Sequence, residues 1–187
     1  MLASYLEASA GVIRDAAKSI SEQVMSGAVT LCVDALKGGK PILVCGNGGS
    51  AADAIHITGE LVGRFLKERR ALRAICLADN PAVLTAWSND YSYETVFSRQ
   101  VEAYGEQGAV LIGLSTSGNS PNVVKAFEAA KAQQMSTLAF TGGTGGKLKA
   151  LSDVALIAPS QSTQQIQQVH LCLYHYLCEK IEEALVG

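Results

Sequence analysis

The chain has 187 residues, of which 48% are apolar and only 17% charged, with a formal net charge of −2. That length suits one compact domain with a real core, and the near-neutral balance gives no support for sequence-independent nucleic-acid binding. So apolar a composition points instead to surface buried between subunits. From the start of the chain, Tyr5, Leu6, Ser9, Val12, Ile13 and Ala16 recur at helical spacing, as do Ile20, Val24, Ala28, Leu31, Val33 and Ala35. Gly38 and Gly39 end the second helix, so residues 1–38 read as a helical hairpin suited to packing or oligomer contacts.

The stretch from Pro41 to Phe65 organises the rest of the chain. Ile42-Leu43-Val44-Cys45 reads as a buried parallel strand, Gly46-Asn47-Gly48-Gly49-Ser50 as a loop, and a helix begins at Ala51. Glycines allow close approach of a ligand, and the new helix aims free N–H groups at the same place. His56 and Glu60 share one helix face with Asp53 and Arg64, while Ile55, Val62 and Leu66 lie opposite and are expected to pack on the sheet. The loop also satisfies G-x-G-x-x-A, the dinucleotide fingerprint. The acidic residue this needs is about 20 positions on, whereas the nearest candidate, Asp79, comes about ten too late, which argues against a nicotinamide site.

Ala71–Ala78 reads as a second strand, followed by a helix from Pro81 through Trp87. Ser88-Asn89-Asp90-Tyr91 reads as a turn, with the alternative that it supplies ligands for a sugar. Tyr93–Tyr104 reads as a helix and Ala109–Leu114 as a third strand. That strand runs into Ser115-Thr116-Ser117-Gly118-Asn119-Ser120-Pro121, where Ser120 suits an N-cap and Pro121 the first helical position. Hydroxyls crowded at a helix N-terminus favour an anion site, able to hold a phosphate monoester without a lysine. Met135–Phe140 and Val154–Ala158 complete five strands, with the glycine-rich loop Thr141–Gly146 at the same carboxyl edge. Strands alternating with helices predict an α/β fold, a three-layer sandwich whose five-stranded parallel sheet is flanked by helices.

The last helix, about Thr163–Leu185, is apolar on two sides, which suggests burial by its own subunit and by a neighbour. His170 reads as a packed, hydrogen-bonded core histidine, whereas His175 lies away from the main apolar stripe. The five cysteines, Cys32, Cys45, Cys76, Cys172 and Cys178, are scattered without a CxxC pair and read as reduced core residues. With no signal peptide and no apolar run of spanning length, the expectation is a cytoplasmic protein without a membrane segment.

The passages CGNGGSAADAIH-ITGELVGRF, TAWSNDYSYETVFSRQVEA, LSTSGNSPNVVKAFEAAK and IQQVHLCLYHYLCEKIE together resemble the sugar isomerase (SIS) family, and most closely its bacterial sedoheptulose 7-phosphate isomerases. The resemblance runs from about Lys40 to Glu182 and implies a single SIS domain over 1–187, with the α/β core at 40–187. It implies a zinc ion in each subunit, with His56, Glu60, Gln167 and His175 as ligands, and Glu60 and His175 as the acid–base pair. Asn47, Gly48, Gly49 and Ser50 match the sugar-contacting loop, Asn89 and Asp90 a second substrate pair, and Ser115, Thr116, Ser117 and Ser120 the phosphate loop. Gln167 falls among the substrate contacts as well. The implied reaction converts sedoheptulose 7-phosphate to D-glycero-D-manno-heptose 7-phosphate, in a homotetramer with active sites at subunit interfaces. A related non-enzymatic branch binds the replication initiator protein, but lacks parts of the acid–base set that this chain has.

Two departures from the family pattern stand out: Gln165 where an arginine is common, and Ser88 where a glycine is usual. The ligand set also meets a geometric difficulty. Gln167 and His175 are eight positions apart, roughly 12 Å along a helix and about 80° around it. Either the helix is irregular near Gln167, or ligands come from more than one subunit.

Overall fold

Five short apolar runs become the strands of one parallel sheet in a computed structural model that describes residues 1–186. They are β1 (Ile42–Gly46), β2 (Ala74–Cys76), β3 (Val110–Leu114), β4 (Ser136–Gly142) and β5 (Val154–Ala158). The helices are α1 (Leu2–Ser19), α2 (Glu22–Lys37), α3 (Gly49–Val62), α4 (Pro81–Asp90), α5 (Val96–Tyr104), α6 (Pro121–Ala132), α7 (Gly146–Leu151) and α8 (Thr163–Val186). A 3₁₀ turn, Tyr93–Thr95, leads into α5.

The strand order is β2-β1-β3-β4-β5, and every pair is parallel. A strand buried on both sides alternates its side chains between two layers. Ile42 and Val44 of β1 thus join the layer of α2, α3 and α8, packing with Ala28, Ile57, Tyr174 and Leu177. Leu43 and Cys45 point the other way, into the layer of α5 and α6 with Phe97, Val101, Val123 and Phe127. The order reverses between β1 and β3, and the crevice beyond the carboxyl ends of these two strands is where open α/β sheets bind ligands.

Several expectations need correction. The two N-terminal helices of the hairpin make their packing contacts mainly with α8 rather than with each other. α2 belongs to the core, with Met25, Ala28, Cys32 and Leu36 buried against the sheet layer. On α3 the sheet-facing residues are Ala54, Ile57 and Leu61, while Ile55 and Val62 are 49% and 45% exposed; Leu66, beyond the end of the helix, is 61% exposed. The core stripe of α3 lies beside the His56–Glu60 face rather than opposite it, because α8 covers the helix from that flank. β2 is shorter than the expected strand, since as an edge strand it pairs only with β1. Ser88-Asn89-Asp90 is not a turn but the last turn of α4, with Tyr91 capping it through its N–H to the Trp87 carbonyl. Ser120 occupies the N-cap of α6 yet makes no side-chain cap bond, because its hydroxyl is engaged with Ser115.

Candidate active site

The turn out of β1 begins the site. Gly48 caps α3 at φ +55° and ψ −121°, a conformation that only glycine adopts without strain. The next residue, Gly49, leaves room for a neighbour: a Cβ there would sit 2.5 Å from Gln167 Nε2. Gln167 therefore lies against the first residue of α3. Asn47 is held on both sides, since its Oδ1 accepts from the Asn122 amide at 2.9 Å and from the Tyr93 hydroxyl at 2.7 Å. Its Nδ2 donates back to Asn122 Oδ1 at 2.9 Å. The amide pair joins the loops after β1 and β3 across the switch point. Ser50, expected to touch substrate, is only 4% exposed beneath this turn.

Further along α3 the i, i+4 spacing sets His56 Nε2 2.9 Å from Glu60 Oε1. His175 of α8 approaches the same point, its Nε2 3.5 Å from His56 Nε2. One donor atom from each of His56, Glu60 and His175 lies within 4.8 Å of the others, the one such cluster among the described residues. Two imidazoles and a carboxylate are a zinc-type donor set, and tetrahedral bonds of about 2.0–2.1 Å would place ligand atoms about 3.3–3.4 Å apart, close to the spacing of the two imidazole nitrogens. The set fits a metal ion and leaves a coordination position open. α8 runs unbroken from Thr163 to Val186, so helix irregularity is not how Gln167 could join His175. The three clustered residues come from one chain, while Gln167 is beside Gly49, seven residues before His56 and roughly 10 Å along α3.

Residues outside the expected ligand set surround the cluster. The Tyr174 hydroxyl lies 3.0 Å from His56 Nδ1 and 3.4 Å from Asp53 Oδ1. Burial pushes both the Asp53 carboxyl and the Tyr174 phenol above their usual ranges, although for Asp53 the Tyr174 bond and nearby His56 pull the other way. Phe65 stacks on the His175 ring with centroids 5.5 Å apart. Its loop is pinned by Glu182, which accepts from the N–H groups of Phe65, Leu66 and Lys67 at 2.7–3.0 Å and from Arg69 Nε at 2.8 Å. Arg69 also donates to the carbonyls of Glu60 and Leu61, closing the C-terminal end of α3. Helical spacing marked Asp53 as a neighbour of the His56 face; nothing in the spacing showed that a residue of α8 would bridge the two.

At the ends of β3, β4 and β5, a polar cleft of about 330 Å³ is lined by Thr116, Ser117, Gly143, Thr144, Ser160 and Gln161. Ser115 is buried, and its hydroxyl meets that of Ser120 at 2.8 Å. Asn119 Oδ1 accepts the Lys147 N–H at 3.0 Å, tying the loop to α7. Gln165 accepts from Ser160 Oγ at 2.8 Å and so braces one wall of the cleft. Asn89 and Asp90 are exposed on the last turn of α4, bonded to each other at 2.9 Å. Ser88 donates to the Leu84 carbonyl within that helix.

The SIS domain family profile matches residues 4–142. Among curated relatives, the phosphoheptose isomerase of Helicobacter pylori (strain P12) is 52% identical over 161 residues, which is 86% of this chain and 84% of that protein. That of Clostridium acetobutylicum is 46% identical over 184 residues, covering 98% and 92% of the two chains, and so extends through α8. Among solved structures, a phosphoheptose isomerase from Neisseria gonorrhoeae superposes with a TM-score of 0.92 at 39% identity, covering 97% of each chain.

Proposed function

The chain belongs to the SIS-domain family, among its phosphoheptose isomerases, and on that premise we propose that it isomerises sedoheptulose 7-phosphate to D-glycero-D-manno-heptose 7-phosphate at the His56–Glu60–His175 cluster. The observation that carries the site assignment is the convergence of these three side chains from α3 and α8. Residues 1–187 act as one SIS domain, a reading supported by α2 and α8 sharing one layer of the sheet.

Converting the open-chain ketose to the aldose removes a proton from C1, returns one to C2 and moves a proton between their oxygens. Glu60 is the base at carbon, since its second oxygen is not committed to His56. His175 exchanges the proton at oxygen, with Phe65 stacked on its ring to hold the imidazole plane. His56, Glu60 and His175 would hold a zinc ion, which would supply a Lewis acid at the site. Of the two roles expected for Gln167, metal ligand and substrate contact, we adopt the second, beside Gly48 and Gly49, supported by its place against Gly49. Thr116 and Ser117, with Ser115 and Ser120 behind them, hold the phosphate in the polar cleft. Asn47 acts chiefly by fixing the sugar-facing loop, because both lone pairs of its amide oxygen are already used. Asn89 and Asp90 remain free to meet substrate from the end of α4.

The assembly we propose is a homotetramer with active sites at subunit interfaces, in the cytoplasm. Support comes from the open cluster, whose His56 side chain is 42% exposed in the single chain, and from free, mostly buried thiols. No described helix is long and apolar enough to cross a membrane.

The test is incubation of zinc-loaded protein with sedoheptulose 7-phosphate in D₂O. Deuterium is expected at C2 of the aldose, and Glu60→Gln is expected to lower kcat by about 10²–10⁴-fold. Turnover by Glu60→Gln at the wild-type rate, or complete retention of the substrate hydrogen, would remove Glu60 from the proton-transfer role.

A further inference from the structure

One buried polar group beside the cluster has no part in the chemistry above, the hydroxyl of Tyr174. The side chain is fully buried, and its oxygen stands between His56 Nδ1 at 3.0 Å and Asp53 Oδ1 at 3.4 Å. A phenol has one proton to give, so only one of these neighbours can receive it. If the proton goes to His56, both Asp53 oxygens are left without a partner, because Oδ2 is already buried and unpaired. That arrangement strands a carboxylate at a half-buried position, which costs more than any single hydrogen bond returns. If the proton goes to Asp53, the phenol oxygen is free to accept from Nδ1–H, and all three side chains have a partner. The shorter distance to His56 is compatible with both arrangements. The carboxylate, as the stronger acceptor, decides between them.

We propose that Asp53 and Tyr174 form a positioning relay, Asp53···H–O–Tyr174···H–Nδ1–His56, that commits the other ring nitrogen, Nε2, to act as a lone-pair donor. Nε2 then faces Glu60 Oε1 at 2.9 Å and His175 Nε2 at 3.5 Å with no hydrogen of its own. His56 Nε2 and Glu60 Oε1, both electron-pair donors, repel one another at 2.9 Å unless a cation lies between them. The relay therefore builds a demand for a metal ion into α3 and α8. The proposal rests on the metal reading of the cluster. Tyr174 is a positioning residue, since it touches His56 and not the reacting atoms.

The test is zinc affinity measured by competition with a chromogenic chelator, for wild type, Tyr174→Phe, Asp53→Ala and the double variant. Tyr174→Phe keeps the buried volume and should weaken zinc binding by about 10–100-fold, the usual effect of losing such a partner. Asp53→Ala should cost at least as much, because the phenol then turns its proton onto Nδ1. The double variant should bind no worse than Tyr174→Phe alone. If Asp53 acted only through its charge, its removal would cost the same in either background, and that additivity would overturn the relay. So would Tyr174→Phe within about twofold of wild type, well outside that range. A measurement without variants is the proton NMR of the zinc-loaded wild-type protein, where a hydrogen-bonded, slowly exchanging His56 Nδ1–H is expected; a freely exchanging one overturns the proposal. Wild-type protein that fails to bind micromolar zinc would instead overturn the metal reading itself, and the relay with it.

Discussion

Gly49 is the residue at which backbone and chemistry are most tightly coupled. A methyl group there would meet the end of the Gln167 side chain at 2.5 Å, and that end is flexible enough to swing away. Gly49→Ala should therefore fold, with a thermal midpoint near that of wild type, while displacing the Gln167 amide from the turn after β1. The expected result is a raised KM for the sugar phosphate with little change in zinc affinity. Equal loss of zinc binding would return Gln167 to the ligand set. Position Gln165 illustrates a different point: its neutral side chain braces Ser160. The wall of the cleft is kept in place without adding positive charge.

Among the elements, α8 does most to join fold and site. It carries His175 and Tyr174 toward α3, and Glu182 to the loop after α3. The Arg69 and Glu182 side chains are 3% and 1% exposed, so the carboxylate is out of water and depends on its partners. Desolvation alone would raise its pKa, but three backbone N–H groups and Arg69 hold it below the usual range. Glu182→Gln should destabilise the fold by about 3–5 kcal/mol, as breaking a buried pair does, and lower the thermal midpoint by roughly 10 °C. The same carboxylate contributes stability that is present above its unfolded pKa and fades as pH falls through its lower folded one.

His170, on the same helix, adds a second acid-sensitive term. Its Nε2–H donates to the Thr141 carbonyl at 3.0 Å, and burial lowers its pKa to about 4. The unfolded chain binds this proton near pH 6.5 and the folded chain only near 4, so stability is complete above 6.5 and declines as pH drops toward 4. The loss amounts to about 3 kcal/mol across that window. In His170→Gln, denaturant midpoints should lose this part of their pH dependence between 4 and 6.5. An unchanged slope would show that folding does not change proton binding at His170.

For the molecule as a whole, apolar surface is unevenly distributed. Leu2, Leu6 and Ile13 of α1, Ile55 and Val62 of α3 and Tyr176 of α8 are all exposed in the single chain. An apolar groove of about 290 Å³ runs between α1, the start of α2 and α8, and shares no lining residue with the polar cleft. Such faces are the expected contacts of a closed symmetric assembly. Light scattering at micromolar concentration should give the mass of four chains, and Ile55→Glu together with Ile13→Glu should lower it. A monomer for the unaltered protein would refute the tetramer and leave those faces unexplained.

Much of the fold was legible in the chain itself. The five strands, their parallel order of connection and the helices between them came from apolar runs and glycine-bearing loops, because a doubly covered strand has no polar face to hide. The i, i+4 pair His56 and Glu60 was visible for a similar reason, since helix periodicity is a local property. Relations between elements lay beyond the sequence. The packing of α1 and α2 on α8, the burial of Ala54 and Leu61 in place of Ile55 and Val62, and the placing of Gln167 at Gly49 all depend on which helix lies against which. The same holds for Tyr174, which on α8 looks like one more apolar residue until α3 brings Asp53 and His56 to its hydroxyl. Spacing along a helix fixes only which residues share a face. The tertiary structure alone decides what that face meets, because the angle between two packed helices is set by the side chains of both.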